Sequence, residues 1–343
     1  MTNPFTHNFP AAEFKHRLSQ SLAISPSDIT SDSALQFAIP TLQIHFRVQW
    51  SASSSLGTIH QLVTNSSPSP ADNLILLVTP FLSDGAKNLC AEHQISWFDL
   101  SGNAHIIAPN LRVIIEGKPN LYKEVGRPSN IFAPKSARVA RWLLMHPNQV
   151  WKQKDIAQNT DMTEAFVSRI IKSLEEESYI EKSTSGIHLP NWSLLFNAWL
   201  DRYEFNKHTL IKGHIPARST EQRIQSIHSA LQNQGSQYAL TGLAAAWRHT
   251  QFANFHLSTF FLSEYPSTPI LDAIGFRQSN EGANTWFVIP NDEGVFQDTQ
   301  ITEGIPCVHP IQVCMDLTGH PERAKEVLEQ LRQALQKEID HVQ

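Results

Sequence analysis

Asp99, Glu116 and Lys118 come nearest in this chain to a set of residues with catalytic spacing. Asp99 sits in the strand-like run SWFDLSGN, and seventeen residues later Glu116-Gly117-Lys118 closes a second run. A Mg²⁺-dependent nuclease needs an Asp and a Glu to hold the ion. It also needs a Lys two residues beyond the Glu, on the same strand face, to help position the attacking water. Types and order match, but Glu-x-Lys is common at strand ends, Gly117 and Pro119 signal a turn, and no further metal-binding acid stands upstream. A catalytically dead scaffold of nuclease-like shape explains the pattern equally well, and both readings stand at this point.

Other constellations fall short of a site. Cys307, His309, Cys314 and His320 are zinc-ligand types. Read as a strand over Pro310 to Leu317, however, Cys307 and His309 share one parity and Cys314 takes the other. The expectation is a partly buried strand with Ile311, Val313 and Met315 facing a core, and no metal. The segment YALTGLAAAW, residues 238–247, reads as a strand turning at Thr241-Gly242 into a helix, as a nucleotidyltransferase begins. Such an enzyme then needs an Asp-x-Asp pair for its two metals, and none occurs in the chain. Walker A, G-x-G-x-x-G, G-x-S-x-G and H-E-x-x-H motifs are absent as well. The leading expectation is therefore a protein without catalysis or cofactor, with the Asp99, Glu116 and Lys118 endonuclease as the alternative.

Charge gives a stronger signal once it is resolved by position. The 343 residues carry a formal net charge of −5, which as an average argues against a nucleic-acid partner. Residues 118 to 154 nevertheless hold eight Lys/Arg against the single acid Glu124, a window of +7 that leaves −12 elsewhere. A local basic block in an acidic chain is the footprint expected of a protein that contacts phosphate through one module. No apolar run approaches the ~18 residues of a membrane span, no secretory leader is evident, and three cysteines make no disulfide framework. These features point to a cytoplasmic protein with no membrane partner.

The elements that would carry these residues fall into three blocks, giving an α+β multidomain fold. Residues 1–133 read as an N-terminal α/β domain: a helix at Ala11 to Leu22, a strand through Leu42 to Trp50 and a loop at Asn65 to Asn73. A buried strand at Leu74 to Val78, a helix at Asp84 to His93, and strands at Ile95 to Ile107 and Leu111 to Glu116 complete it. Residues 191–343 read as a C-terminal α/β domain, nucleotidyltransferase-like in shape without the catalytic Asp pair. It ends in a helix after Pro321 with Val327, Leu328, Leu331 and Leu335 on one face.

The central block, 134–190, has the pattern of a winged helix-turn-helix. SARVARWLLMHPNQ gives a first helix stopped by Pro147, KQKDIAQNT a short second one, and TEAFVSRIIKSLEEE a third with Thr163 as its N-cap. YIEKSTSGIHLP then supplies a strand, a glycine turn and a strand. In such a module the third helix enters the major groove and flanking cations hold phosphates. The expected base-side contacts are Thr163, Ser168, Arg169 and Lys172. Arg138, Arg141, Lys152 and Lys154 are expected on phosphates, with Lys182 to Gly186, Ser185 among them, placing the wing over the backbone or a minor groove. The run Glu175-Glu176-Glu177 confines any DNA approach to the N-terminal half of that helix. A non-catalytic adaptor that uses the same module to bind protein is the further alternative.

The segment LILLVTPFLSDGAKNLCAEHQISWFDLSGNAHI (residues 74–106), LRVIIEGK, the winged helix, YALTGLAAAW and PIQVCMDLTGHPERAKEVLEQL together resemble the AbiEi-type transcriptional regulators, antitoxins of type IV toxin–antitoxin systems. That resemblance spans most of residues 74 to 340. It implies a regulator of double-stranded DNA that represses its own operon and counters a toxin partner protein; a homodimer is the separate expectation for a regulator that reads two half-sites. The better-known antitoxins carry their winged helix at the N-terminus, whereas here a 130-residue domain precedes it.

Overall fold

The structure, a computed structural model, describes residues 8–65, 74–122, 131–235, 237–252 and 254–341. The expected loop at Asn65 to Asn73 lies almost wholly outside the described residues, as do Lys123, Glu124 and Arg127 of the basic window. Among the described residues the fold is mixed α+β, with twelve helices and three sheets. The chain divides into two compact units: Met1–Ser129 with Glu176–Tyr179, and Asn130–Glu175 with Ile180–Gln343. The central and C-terminal blocks expected as separate domains thus belong to one unit.

The first unit runs α1 (Ala11–Leu22), β1 (Thr30–Ser33), β2 (Gln36–Ile39), β3 (Ile44–Trp50), α2 (Leu56–Thr64), β4 (Leu74–Thr79), α3 (Asp84–Glu92), β5 (Ser96–Asp99), β6 (Ala104–Ala108) and β7 (Leu111–Ile115). Its strands lie in the sheet in chain order. β3, β4 and β5 are parallel because helices return the chain between them, while hairpins make the outer pairs antiparallel. Serines cap both crossover helices: the Thr58 amide donates to Ser55 Oγ at 3.2 Å and the Ala86 amide to Ser83 Oγ at 3.3 Å. β4 shows the period of two, since Leu76 and Val78 join Phe14, Phe37, Phe46 and Phe98 in one core cluster and Leu77, also buried, does not.

The second unit opens with α4 (Ala137–Met145), α5 (Gln153–Asn159), α6 (Glu164–Glu176), β8 (Glu181–Lys182) and β9 (Ile187–His188). It continues with α7 (Trp192–Leu200), β10 (Thr209–His214), α8 (Thr220–Gln234), β11 (Tyr238–Thr241), α9 (Gly242–Thr250), β12 (Ser258–Leu262), α10 (Thr268–Ala273), β13 (Arg277–Gln278) and β14 (Thr285–Ile289). β15 (Gln300–Thr302), β16 (Ile305–Cys307), α11 (Pro310–Leu317) and α12 (Ala324–His341) close it. The large sheet has the order β13-β10-β14-β12-β11-β16-β15, with β14 parallel to β12 and β11 parallel to β16. The expected strand at Pro310 to Leu317 is instead the helix α11. All eight of its residues are buried, so no face shows in the pattern. Its start is marked chemically: Pro310 sits at the first helical position and the Ile311 amide donates to His309 Nδ1 at 3.2 Å. Cys307 and Cys314 are buried free thiols on different elements; burial pushes the Cys307 thiol up to about 11.

Asp99 breaks the long strand expected over Ile95 to Ile107. Its buried carboxylate accepts the Asn103 amide at 2.9 Å, Asn103 Nδ2 at 3.0 Å and the Leu82 amide at 3.3 Å. This folds Leu100–Asn103 into a turn in which Gly102 has φ +98°, a conformation that only glycine adopts without strain. Asn103 in turn accepts the Lys118 amide at 2.8 Å and donates to the Lys118 carbonyl at 3.1 Å. The spacing of Asp99 and Lys118 thus belongs to a polar clip that grips the Lys118 backbone. Glu116 is exposed beyond β7, and β6 separates β5 from β7, putting the strands roughly 10 Å apart at ~4.8 Å each. Asp99, Glu116 and Lys118 therefore do not converge as a metal-binding pair with a lysine. Asp99→Ala strands three buried donors and should lower stability by about 2–4 kcal/mol. Urea denaturation measures this, and a loss under about 0.5 kcal/mol would remove the clip from the account.

Candidate nucleic-acid interface

The three helices α4, α5 and α6 and the hairpin β8–β9 follow the order that a winged helix-turn-helix requires. Val139, Leu143 and Leu144 of α4, Ile156 and Ala157 of α5, and Val167, Ile170, Ile171 and Leu174 of α6 are buried between them. The turn between α5 and α6 needs a left-handed residue, and Asp161 takes it at φ +51°. Thr163 Oγ1 accepts the Phe166 amide at 3.4 Å, so the expected N-cap is in place. Gln153 Nε2 donates to the Glu164 carbonyl at 3.2 Å and holds α5 against the start of α6. Trp151 forms a two-way backbone bridge with Ile187, both bonds 2.8 Å, and its ring lies 5.2 Å from that of Trp142. The hairpin is thereby anchored beside α4.

On this frame Thr163, Ser168, Arg169 and Lys172 are exposed, the last three along one face of α6. Lys152, Lys154, Lys182 and Ser185 are exposed too. Lys152 Nζ donates to the Thr184 carbonyl at 3.3 Å and ties the start of α5 to the tip of the wing. At that tip the Ser183 amide donates to the Gly186 carbonyl at 2.9 Å, closing the turn that presents Ser185. A groove of about 580 Å³ runs along the α5–α6 turn, lined among others by Lys135, Gln158, Thr163, Phe166 and Arg169. The Arg169 guanidinium stands 5.2 Å over the Phe166 ring, which orders it at the groove edge. Phe166 and Gln158 were not singled out by sequence. The Phe166 ring is only half-buried.

Arg138 and Arg141 take another course. Both were expected on phosphates, and both turn inward. Arg138 Nε and Nη2 make a bidentate pair with Asp292 at 2.7 and 2.8 Å. Arg141 is 3% exposed. Its Nε and Nη2 donate to Gln312 Oε1 at 3.0 and 2.7 Å and its Nη1 to Gln297 Oε1 at 3.2 Å, while its guanidinium lies 5.1 Å over Trp199. The Arg141 side of α4 is a face against which α7 and α11 pack. Of the basic window, Lys135, Lys152 and Lys154 remain as exposed cations beside the helices.

A family model described as a domain of unknown function (DUF7343) matches residues 135–188. That span coincides with α4 through β9. No curated protein and no solved structure matches the chain. No helix among the described residues is long and apolar enough to cross a membrane.

Behind Arg141 the polar chain continues through Gln312, whose Nε2 donates to Asp316 Oδ1 at 2.7 Å and to Tyr203 OH at 3.0 Å. Tyr203 and Thr241 also donate to Asp316. Burial pushes the Asp316 carboxyl up to about 7, against the pull of these hydrogen bonds and of Arg141. Burial also pushes His208, His309 and His320 down to about 4 each. The signs oppose one another. The three imidazoles take up protons on unfolding below pH 6.5, so they make stability fall as pH falls from 6.5 to 4. Asp316, raised above its unfolded value, releases a proton on unfolding and makes stability rise over the same interval. Three groups outweigh one, so the second unit loses stability on acidification from pH 6.5 to 4.5, and Asp316→Asn steepens that loss. Denaturation midpoints at the two pH values read the difference; a shallower slope in the variant would contradict the assignment.

Proposed function

We propose that this chain is a sequence-specific double-stranded DNA-binding protein acting as a transcriptional regulator through residues 134–190. The observation that carries the reading is the exposed set on and around α6. Ser168, Arg169 and Lys172 occupy one face, Thr163 caps its start, and Lys152, Lys154 and Lys182 stand beside it and on the wing. A helix of 13 residues is about 20 Å long, enough to lie in a major groove. Glu175 and Glu176 are exposed at its far end and would face phosphate with like charge, so contact falls to the N-terminal half. Arg169, ordered on Phe166, suits the bidentate recognition of a guanine edge, and the partly exposed Phe166 ring suits a thymine methyl group. The saturation of Asp99 by structural hydrogen bonds gives the endonuclease alternative no support.

Fluorescence anisotropy with duplexes selected from a random pool tests this reading. The logarithm of the binding constant should fall linearly with the logarithm of salt concentration, and each of Lys152→Ala, Lys154→Ala and Lys182→Ala should reduce the slope by roughly one. Arg169→Ala should cost about 1–3 kcal/mol of discrimination between selected and random duplexes. Arg138→Ala should leave the slope unchanged and instead lower stability by about 3 kcal/mol, because it leaves Asp292 half-buried without its partner. Absence of duplex binding at low salt would overturn the proposal.

A further inference from the structure

A cavity of about 100 Å³ lies within the second unit, between the start of α4 and the segments that follow α7 and β14. We propose that it is a binding site for a small oxyanion, a phosphate group or a carboxylate, held by Arg141 at its floor and by Arg202 and Lys207 at its rim.

Size is the first argument. At ~30 Å³ per water, the volume equals about three waters, which is the scale of one tetrahedral oxyanion or one carboxylate head. Charge is the second. Arg141 is a buried cation whose three hydrogen bonds all go to neutral glutamine oxygens, so among the described residues no carboxylate is bonded to it. A guanidinium has five N–H donors, and those bonds use three. Asp292 and Asp316 lie near enough to act on this charge without bonding it, and the cavity opens beside it. Arg202 and Lys207 are exposed, so two more cations stand where a ligand would enter.

The acids on the walls are already engaged. Asp292 is held bidentate by Arg138, and Glu204 pairs with Lys207 at 3.1 Å in an exposed contact of little strength. His208 at the floor is held in one tautomer. His208 Nδ1 accepts the Asn291 amide at 3.1 Å, so its proton sits on Nε2 and points to Tyr203 OH, 2.8 Å away. Tyr203 gives its own proton to Asp316. The side chains behind Arg141 are thus fixed before a ligand arrives, which lowers the ordering cost of binding.

Location gives the site a consequence. Arg141 and Ala137 belong to α4, whereas Tyr203, Lys207, His208 and Asn291 come from the segments beyond α7 and β14. An oxyanion bridging Arg141 and Lys207 ties the first helix of the winged module to the C-terminal sheet. That this tie alters DNA affinity rests on the function proposed above.

Isothermal titration calorimetry of the full chain with inorganic phosphate and with acetate, at matched ionic strength in chloride, tests the site without DNA. The expected result is saturable 1:1 binding of at least one of the two. Phosphate alone identifies a phosphoryl ligand and acetate alone a carboxylate. The double variant Arg202→Gln/Lys207→Gln removes two exposed cations, of which Arg202 also lies 5.4 Å over the Phe132 ring, and should weaken binding at least about tenfold with the chain still folded, as its circular dichroism spectrum checks. No saturable binding of either anion, or binding unchanged in the double variant, overturns the site. In a second arm the bound anion should shift duplex affinity at least threefold in wild type and not in the double variant. Anion binding with unchanged duplex affinity overturns the coupling alone, and anion binding by a chain that binds no duplex overturns the DNA reading and leaves the site standing.

Discussion

The burial of Arg141 is the constraint on which the arrangement of the second unit depends. A guanidinium keeps its charge in a protein interior, so the fold must surround it with oxygens rather than let it lose a proton. Gln312 and Gln297 supply them, and the requirement spreads from there. Gln312 sits on α11 and must present its oxygen to Arg141 while its amide reaches Asp316 and Tyr203. α11 is buried along its whole length, and α4 is fixed against α7 by the ring of Trp199 and by the Trp192 indole, which donates to the Leu144 carbonyl at 3.0 Å. Arg138 and Asp292 lock the adjoining turn of the same helix. The winged module is therefore built into the C-terminal sheet domain through its first helix, and its second and third helices and hairpin are the parts that present exposed cations.

This division of labour has a chemical reason. A cation used as an internal strut cannot also track a phosphate, and an exposed lysine that holds phosphate contributes little to folding. In this chain the arginines of α4 do the first task and the lysines of α5 and the wing suit the second. Arg169 lies between the two kinds, exposed yet ordered by Phe166.

Much of this was legible in the residues. The α1 limits, the strand through Trp50, the three helices and hairpin of residues 134–190 and the terminal helix all carry a clear period or clear end signals. Legibility failed where a residue's role depends on a partner far away in sequence. The inward turn of Arg138 is set by Asp292, 154 residues on, and charge counted along the chain carries no direction. α11 was misread because uniform burial erases the contrast from which a period is read, although His309 and Pro310 announced a helix start. The Asp99 spacing suggested a metal site, yet it arises from a turn that needs a carboxylate for its amides. Of the expected DNA-contacting residues, Thr163, Ser168, Arg169, Lys172, Lys152, Lys154, Lys182 and Ser185 lie exposed and Arg138 and Arg141 do not.

The central claim is that α5, α6 and the wing meet DNA while α4 serves the interior. Hydrogen–deuterium exchange of the full chain, with and without a saturating selected duplex, tests it most directly. Exchange should slow in residues 152–172 and 181–188 on binding DNA, with the amides of α4 equally protected in both states. Slowed exchange confined to segments outside residues 134–190, or none at saturation, would contradict it.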